Sequence, residues 1–448
     1  MTRSLPVDPA SRTRRNLLMF AGVAVLFLLT GVFQSWNLSL NILNLALLSA
    51  IMAIGVNIQW GYAGLFSTGI MGSVALGGLA VVLVSGAPVP QAWEGGFQSG
   101  APRILSALVF AGFAIFLAGR LYRALPRPRL RALALTAFLI LAFFIYREIL
   151  DPAVLAVEAF NPTQAGNIGG LGLPSLWAWP VGALLAAAAA WAIGKIALGL
   201  REDYLAIATL GIAEIVVAVM KNEDWLDRGV KNLVNLPRPW PVPMEVDLQA
   251  NPAYLDLVNG LGLDPVATST IFVKLLYAAL FGGLLVLLIW LTERALNSPW
   301  GRMVRAIRDN EVSAEAMGKD VKFRHLQIFI IGAAVVGLAG AMLTSMEGQL
   351  TPSSYVPLRF TFLIWVMVIV GGSGNNWGAV LGGLLIGWLY LAVEFLGPQL
   401  MDALTAGLPP GDLKAQLQET AAHMRLLTLG VVLLLVLRFA PKGLIPEK

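Results

Sequence analysis

The chain has 448 residues, 57% hydrophobic and 13% charged, with a formal net charge of +5. This composition excludes an ordinary soluble domain and points to a polytopic membrane protein forming one unit over residues 1–448. The basic excess fits cytoplasmic loops better than a nucleic-acid partner. The chain has no cysteine and only two histidines, His325 and His423, which excludes thiolate sites, disulfides and histidine metal clusters.

A membrane span needs ~20 mainly apolar residues. That ruler places twelve segments near 17–33, 39–59, 64–85, 104–122, 130–147, 178–198, 203–220, 270–291, 325–346, 358–371, 377–396 and 424–440. The expected fold is therefore an all-α integral membrane protein with about 10–12 segments. Several are short or interrupted by glycine, and these are expected to be broken or re-entrant. The basic start, MTRSLPVDPASRTRR, reads as the lead-in to an uncleaved first span at 17–33. Twelve crossings put every arginine-rich region on one face, with both termini cytoplasmic. The segments 148–177 and 221–269 then fall on the outer face. The second is rich in proline, asparagine and aspartate, as expected of turns with a short helix.

Residues 297–324 form the longest strongly charged interruption between apolar segments. Ser298-Pro299 is a helix start, a hydroxyl cap followed by proline in the first turn. A helix is expected to Asp309, with Met303, Val304 and Ile307 as its apolar patch. Asn310 marks a bend, and a second short helix spans 312–317. Gly318 ends it by adopting the left-handed conformation. The apolar side can dock in a partner's groove while the arginines fix it by charge. The competing reading is a solvated loop lying on lipid headgroups.

Six glycines, Gly61, Gly64, Gly69, Gly72, Gly77 and Gly78, fall in one 18-residue stretch that also holds Ser67 and Thr68. They permit either close helix packing or a broken helix beside a water-filled path. The cluster Gly371, Gly372 and Gly374, followed by Asn375 and Asn376, mirrors it as a weak internal repeat. Tyr204, Thr209 and Glu214 share the seventh span. Glu214 lies deep in apolar sequence, where an ionisable group is costly unless neutral, paired or wet. It is either a pathway residue or a hydrogen-bonded tie between helices. Lys274 snorkels, or pairs with Glu214.

The stretch GRMVRAIRDNE at 301–311, followed by AEAMG at 314–318, resembles the coupling loop of ABC importer permeases. It is most similar to the LivM-type permeases of branched-chain amino acid transporters. Four further stretches agree and stand in the family's order: GYAGLFSTGIMGSVALGG at 61–78, LREDYLAIATLGIAEIV at 200–216, VIVGGSGNNWGAVLGGLLIG at 368–387 and FAPKGLI at 439–445. The two spans within 104–147 fall outside the resemblance and read as an inserted helical hairpin.

The resemblance implies a permease subunit in a bacterial inner membrane. Its expected partners are two cytoplasmic ATPases, a second permease (LivH-like, or another copy of this chain), an outer-face solute-binding protein and membrane lipid. It implies coupling through Gly301, Arg302, Arg305, Ala306, Arg308, Asp309, Glu311, Glu315, Ala316 and Gly318. The candidate pathway residues, taken from the glycine clusters and the seventh span, are Gly61, Gly64, Ser67, Gly69, Tyr204, Thr209, Glu214, Gly371, Gly372 and Gly374. The chain carries no GxxxxGK[ST] phosphate loop, so no cofactor is expected in it; ATP and magnesium belong on the partner ATPases. The implied solutes are branched-chain or other small amino acids, with urea or short amides as the alternative. Three departures bear on the solute: Ile70 where the family has histidine, Leu79 where an aromatic is common, and DRGVKNL at 227–233. A proton-coupled carrier using Glu214 is a rival that leaves the loop unexplained. An intramembrane enzyme lacks a catalytic constellation.

Overall fold

The computed structural model describes residues 9–94, 99–160, 166–407, 412, 414, 416, 419 and 424–447. Arg3, His423 and Lys448 lie outside the described residues. All twelve expected segments fall on helices. Among the described residues, nine helices are long and apolar enough to cross a membrane by length and composition, and three apolar ones are shorter. The chain is an all-α multi-pass membrane protein.

In chain order the helices are α1 (Pro9–Phe33), α2 (Trp36–Val56), α3 (Ile70–Ser85), α4 (Ala101–Ala124), α5 (Pro128–Ala159), α6 (Ala178–Ala197), α7 (Glu202–Asn222) and α8 (Pro265–Leu296). Two short helices follow, α9 (Pro299–Asp309) and α10 (Glu311–Ala316). The last four are α11 (Val321–Glu347), α12 (Leu363–Gly371), α13 (Asn376–Thr405) and α14 (Met424–Phe439).

Local chemistry sets many of the helix starts. Ser35, Asp264, Asn310, Asp320 and Asn375 each cap the helix that follows, accepting a backbone N–H in its first turn. Several helix boundaries differ from the sequence reading; α1 begins at Pro9, and α8 extends about one turn beyond each expected end. The segment expected at 64–85 is helical only from Ile70. The span expected to end at 147 runs on to Ala159, through Pro152. There the Arg147–Asp151 ion pair (2.9 Å) bridges one helical turn. Ala153 and Val157 also pack in a small apolar cluster with Ile104, Ala107 and Trp225. Finally, α13 continues past 396 through Pro398.

The core is built on α2 and α11. In their most apolar windows 78% and 67% of residues are buried, against 6% for α5. α2 packs against α8, α11, α12 and α13, while α3, α6 and α11 form a second group. In that group, backbone comes close to backbone at its glycines. A Cβ on Gly77 would fall 2.0 Å from the Gly337 carbonyl oxygen, and one on Gly337 would fall 2.7 Å from that of Gly182. Small residues let membrane helices approach this closely. α4 and α5 pack mainly on each other and expose Val109, Ile115, Leu133 and Phe144 to the surroundings. They sit at the rim as a hairpin.

The helix ends gather on two faces. One holds the 297–324 loop. The opposite, far face holds 86–89, 166–173, 223–236 and 348–355. It is joined by a Leu233–Leu350 backbone bridge (3.1 and 2.8 Å) and by the Ile168 N–H on the Trp225 carbonyl (2.8 Å). Asp227 is fully buried there. Its Oδ1 accepts from the Gly229 N–H (3.0 Å), while Oδ2 is buried with no hydrogen-bond partner among the described residues. Burial, with Asp224 nearby, pushes the Asp227 carboxyl up to about 7, against the Gly229 hydrogen bond.

Lys274 donates to the Asn37 carbonyl (3.1 Å) and to its side chain, so its pairing is with α2 rather than with Glu214.

A raised carboxyl pKa means that the folded state holds its proton more tightly than the unfolded chain. Stability from Asp227 is then full below the unfolded carboxylate pKa of ~4 and declines as pH rises towards 7. Asp227→Asn is expected to flatten this decline in the thermal midpoint of detergent-solubilised protein between pH 4 and 7. An unchanged slope in the variant would contradict it.

Candidate functional site

The candidate site is the interruption between α2 and α3. α2 ends in a π-helical turn, Asn57–Gly61, and residues 62–69 carry no helix before α3 begins at Ile70. Gly64, with φ of +74°, makes the reversal. A stretch without helix inside an apolar assembly frees backbone groups, which must be satisfied by protein or water. The N–H groups of Tyr62, Gly64 and Leu65 bond back to carbonyls of the preceding turn, and two other helices supply partners for Ser67 and Thr68.

From α7, Thr209 Oγ1 accepts from the Thr68 N–H (3.1 Å), and the Ala206 carbonyl accepts the Thr68 hydroxyl (2.6 Å). From the α12 side, Trp365 Nε1 donates to the Ser67 carbonyl (3.1 Å) and Thr361 Oγ1 to the Thr68 carbonyl (3.1 Å). α3 has no side-chain cap of its own, and Thr361 Oγ1 accepts from the Met71 N–H (3.3 Å) in its first turn. Gly69 is needed for the close approach, since a Cβ there would lie 2.6 Å from the Thr209 carbonyl oxygen.

Beside this stretch lies a cavity of ≈ 30 Å³, lined by Gln59, Ser67, Gly69, Thr209 and apolar groups including Phe329 and Val336. It is water-sized rather than ligand-sized. Gln59 Nε2 donates to the Phe329 carbonyl (2.9 Å), which joins the end of α2 to α11.

The expected pathway residues therefore separate into three groups. Ser67, Gly69 and Thr209 line the cavity. Gly61, Gly64, Gly371, Gly372 and Gly374 lie on the loop face instead. There the two glycine clusters are neighbours, because Asn57 Oδ1 accepts from the Gly374 N–H (2.9 Å). Asn57 Nδ2 also donates to Asn376 Oδ1 (3.3 Å), and Asn376 Nδ2 donates to Thr292 Oγ1 (3.2 Å) and Glu293 Oε1 (3.2 Å). Tyr204 and Glu214 sit on the exposed side of α7, away from the cavity.

The loop has the expected helix–bend–helix form. Ser298 caps α9 by accepting from the Trp300 N–H (3.2 Å), and Gly318 ends the second helix with φ of +74°. Its orientation differs from the expectation. Val304 and Ile307 are buried in the chain itself, Ile307 with Ala314, Val321 and Met303. That apolar patch is not open to a partner. Gly301 is buried against Leu296, with no room for a Cβ.

Two of the arginines also turn inward: Arg305 donates to the Leu296 carbonyl (3.1 Å) and Arg308 to the Gly61 carbonyl (2.5 Å), while Arg302 stays exposed and reaches the Asn297 carbonyl (3.4 Å). Burial works against the Arg308 charge, but Glu447 and Asp309 outweigh it and raise the guanidinium pKa above its ordinary value. The outward face carries Ala306, Asp309, Glu311, Glu315, Ala316 and Gly318, with Val312 and Met317 standing 78% and 79% exposed among them.

Sequence reasoning passed over Thr361, Trp365, Glu447, Val312 and Met317. A threonine and a tryptophan within the apolar run at 358–371 were the signal for the first two.

A family model described as the permease component of the branched-chain amino acid transport system matches residues 38–437. The high-affinity branched-chain amino acid transport system permease protein LivM of Escherichia coli is 30% identical over 235 residues, 52% of this chain and 53% of that protein. The probable branched-chain amino acid transport permease protein LivM of Methanocaldococcus jannaschii is 27% identical over 319 residues, 70% of this chain and 80% of that protein. A shorter match reaches the ribose import permease protein RbsC of Haemophilus influenzae, 28% identical over 104 residues, 22% of this chain and 32% of that protein. The chain thus spans about half the length of the E. coli relative. No solved structure matches the chain.

Thr209→Val keeps the shape of Thr209 but leaves the Thr68 N–H without its acceptor. A buried donor left unsatisfied costs about 1–3 kcal/mol. The thermal midpoint of the purified protein is expected to fall for Thr209→Val and to stay near the parent for Thr209→Ser. Equal midpoints in the two variants would count against a supporting role for the hydroxyl.

Proposed function

Because the chain belongs to the family of branched-chain amino acid transport system permease components, we propose that it is the membrane-spanning permease subunit of an ATP-driven importer. It takes solute from a binding protein at the far face and delivers it to the cytoplasm on the loop face. The N- and C-termini are cytoplasmic, in a bacterial inner membrane. The solutes are branched-chain or other small amino acids, with urea or short amides as the in-family alternative. ATP and magnesium act on two separate ATPase subunits, which engage the 298–318 loop and shift the preferred permease conformation.

The observation that carries this reading is the loop's division of labour. One side of the helix pair is anchored into the membrane domain. The other presents Val312 and Met317, ringed by Glu311, Glu315 and Lys319, to water. Apolar anchors within a charged rim are the usual anatomy of a protein contact. A loop resting on lipid headgroups would gain nothing from the two carboxylates.

A second permease is supported by α7. Glu214 is exposed on a face with Tyr204, Ile207 and Ile215, which are 60%, 70% and 62% exposed. A carboxylate pointing outward from the middle of a span is costly against lipid, so protein or a water-filled path must cover it. The partner permease, LivH-like or another copy of this chain, fits there, with the solute path between them. The remaining apolar rim, including the α4–α5 hairpin read as an insertion, faces lipid.

Purification from native membranes, with the attached chains identified, tests the assignment. Two ATPases and a second permease are expected. This chain alone, moving solute down a proton gradient, would overturn it. Within the loop, Val312→Asp combined with Met317→Asp is expected to cut ATPase co-purification at least about tenfold, the scale of losing one or two interface anchors. Retained ATPase binding would move the contact elsewhere. Glu214→Gln is expected to keep folding and uptake within about twofold of the parent, since a proton-coupled carrier alone needs a titrating group there. A well-folded but inactive Gln variant, together with uncoupler-sensitive uptake by the parent, would favour the carrier.

A further inference from the structure

The loop is joined to the membrane domain by a charge pair that spans four separate parts of the chain. Arg308 Nη1, on α9, donates to the carbonyl of Gly61 at the end of the π turn. It also pairs with Glu447 Oε2 (2.9 Å), and the two side chains are only 22% and 31% exposed. Glu447 is placed by the tail before it. The Leu444 N–H bonds the Val370 carbonyl (2.9 Å), the Ile445 N–H bonds the Gly371 carbonyl (2.8 Å), and Asn375 Nδ2 bonds the Pro446 carbonyl (3.3 Å). Gly374 closes over the pair. A Cβ there would lie 2.8 Å from Glu447 Oε2 and 3.3 Å from Arg308 Nη1.

Asp309 also touches Arg308 (3.1 Å) but is 67% exposed and next to it on the same helix. It cannot tie that helix to anything else. Arg302 and Arg305 reach only the nearby carbonyls of Asn297 and Leu296. Arg308 is thus the loop arginine that grips the end of α2, from which the unwound stretch 62–69 continues.

We propose that Arg308 and Glu447 form a latch. Glu447 is a positioning residue that holds Arg308 on the Gly61 carbonyl, and the closed latch keeps stretch 62–69 seated on α7 and α12. Displacing α9 opens the latch, pulls on Gly61 and loosens the bonds of Ser67 and Thr68 beside the cavity. Residues 440–447 are then a working part of the permease. This deepens the reading of the loop as the ATPase contact and rests on it for the origin of the displacement. The latch itself is a property of this chain alone.

The chain has no cysteine, so a single Ser67→Cys reports on the stretch without background. In the full-length protein in native-like vesicles, Glu447→Gln is expected to raise thiol labelling at position 67 about tenfold, the effect of a shift of ~1.4 kcal/mol in the opening equilibrium. Glu447→Asp is expected to return most of the way. A purely structural tail would lower folded yield in both variants without separating them. Equal labelling in parent and Glu447→Gln overturns the latch. In the assembled transporter, the same Gln variant is expected to keep its ATPases attached while solute moved per ATP falls severalfold. Unchanged solute per ATP also overturns it. Loss of ATPase attachment from the parent chain would instead refute the functional reading, leaving the labelling result to judge the latch.

Discussion

The rest of the structure depends on the demand of the unwound stretch 62–69 for hydrogen-bond partners. Within an apolar assembly, every peptide group released from a helix must find one. Residues 62, 64 and 65 bond back to carbonyls of residues 57–60, and the peptide groups of Ser67 and Thr68 are met by Thr209, Thr361 and Trp365, from helices far away in sequence. α7 and α12 are therefore held at fixed positions around the break, and α3 borrows part of its start from Thr361. The glycines follow from the same demand: Gly69 lets the stretch approach α7, and Gly64 turns the chain into it.

Below the break, towards the loop, polar side chains bond to one another. Asn57, Asn376 and Thr292 are buried and bonded in series, ending at Glu293. Beside them lies the Arg308–Glu447 pair. A network of this kind is costly to leave half made, so its members tend to hold or release together. The tail, the glycine turn at 371–374, the end of α2 and the loop thereby act as one body. Above the break, α3, α6 and α11 touch through backbone at Gly77, Gly182 and Gly337 and form a second rigid body.

Much of this was legible in the sequence. Apolar run length located all twelve helical segments, because the bilayer sets that length for any sequence. The Ser298-Pro299 start, the Asn310 bend and the Gly318 stop were local signals, and local signals survive folding. What a periodic pattern cannot give is which face of a helix is covered. Met303, Val304 and Ile307 form a stripe that suits a partner's groove or the protein's own core equally well, and the core has it. The partners of stretch 62–69 were hidden for a related reason. Thr361 and Trp365 are unremarkable in an apolar run until α12 is folded beside the break. Glu447 lies in a short tail with no pattern of its own. Its role depends on backbone pairing with Val370 and Gly371.

The unwound stretch 62–69 and the α3–α6–α11 group above it differ in how readily they can yield. Parting α3 from α11 would open backbone contacts that no side chain can refill, losing close packing along whole helices. Releasing Ser67 and Thr68 breaks a few hydrogen bonds, each worth about 0.5–1.5 kcal/mol net, and water entering the cavity can replace them. The cavity in this conformation is the size of a water rather than of an amino acid, so a solute using this route requires one of the two to give. The softer element is the stretch, and its cytoplasmic end is where the loop is fastened. Motion at the loop therefore has a short path to the least costly opening in the protein, with the helix core serving as the frame against which it moves.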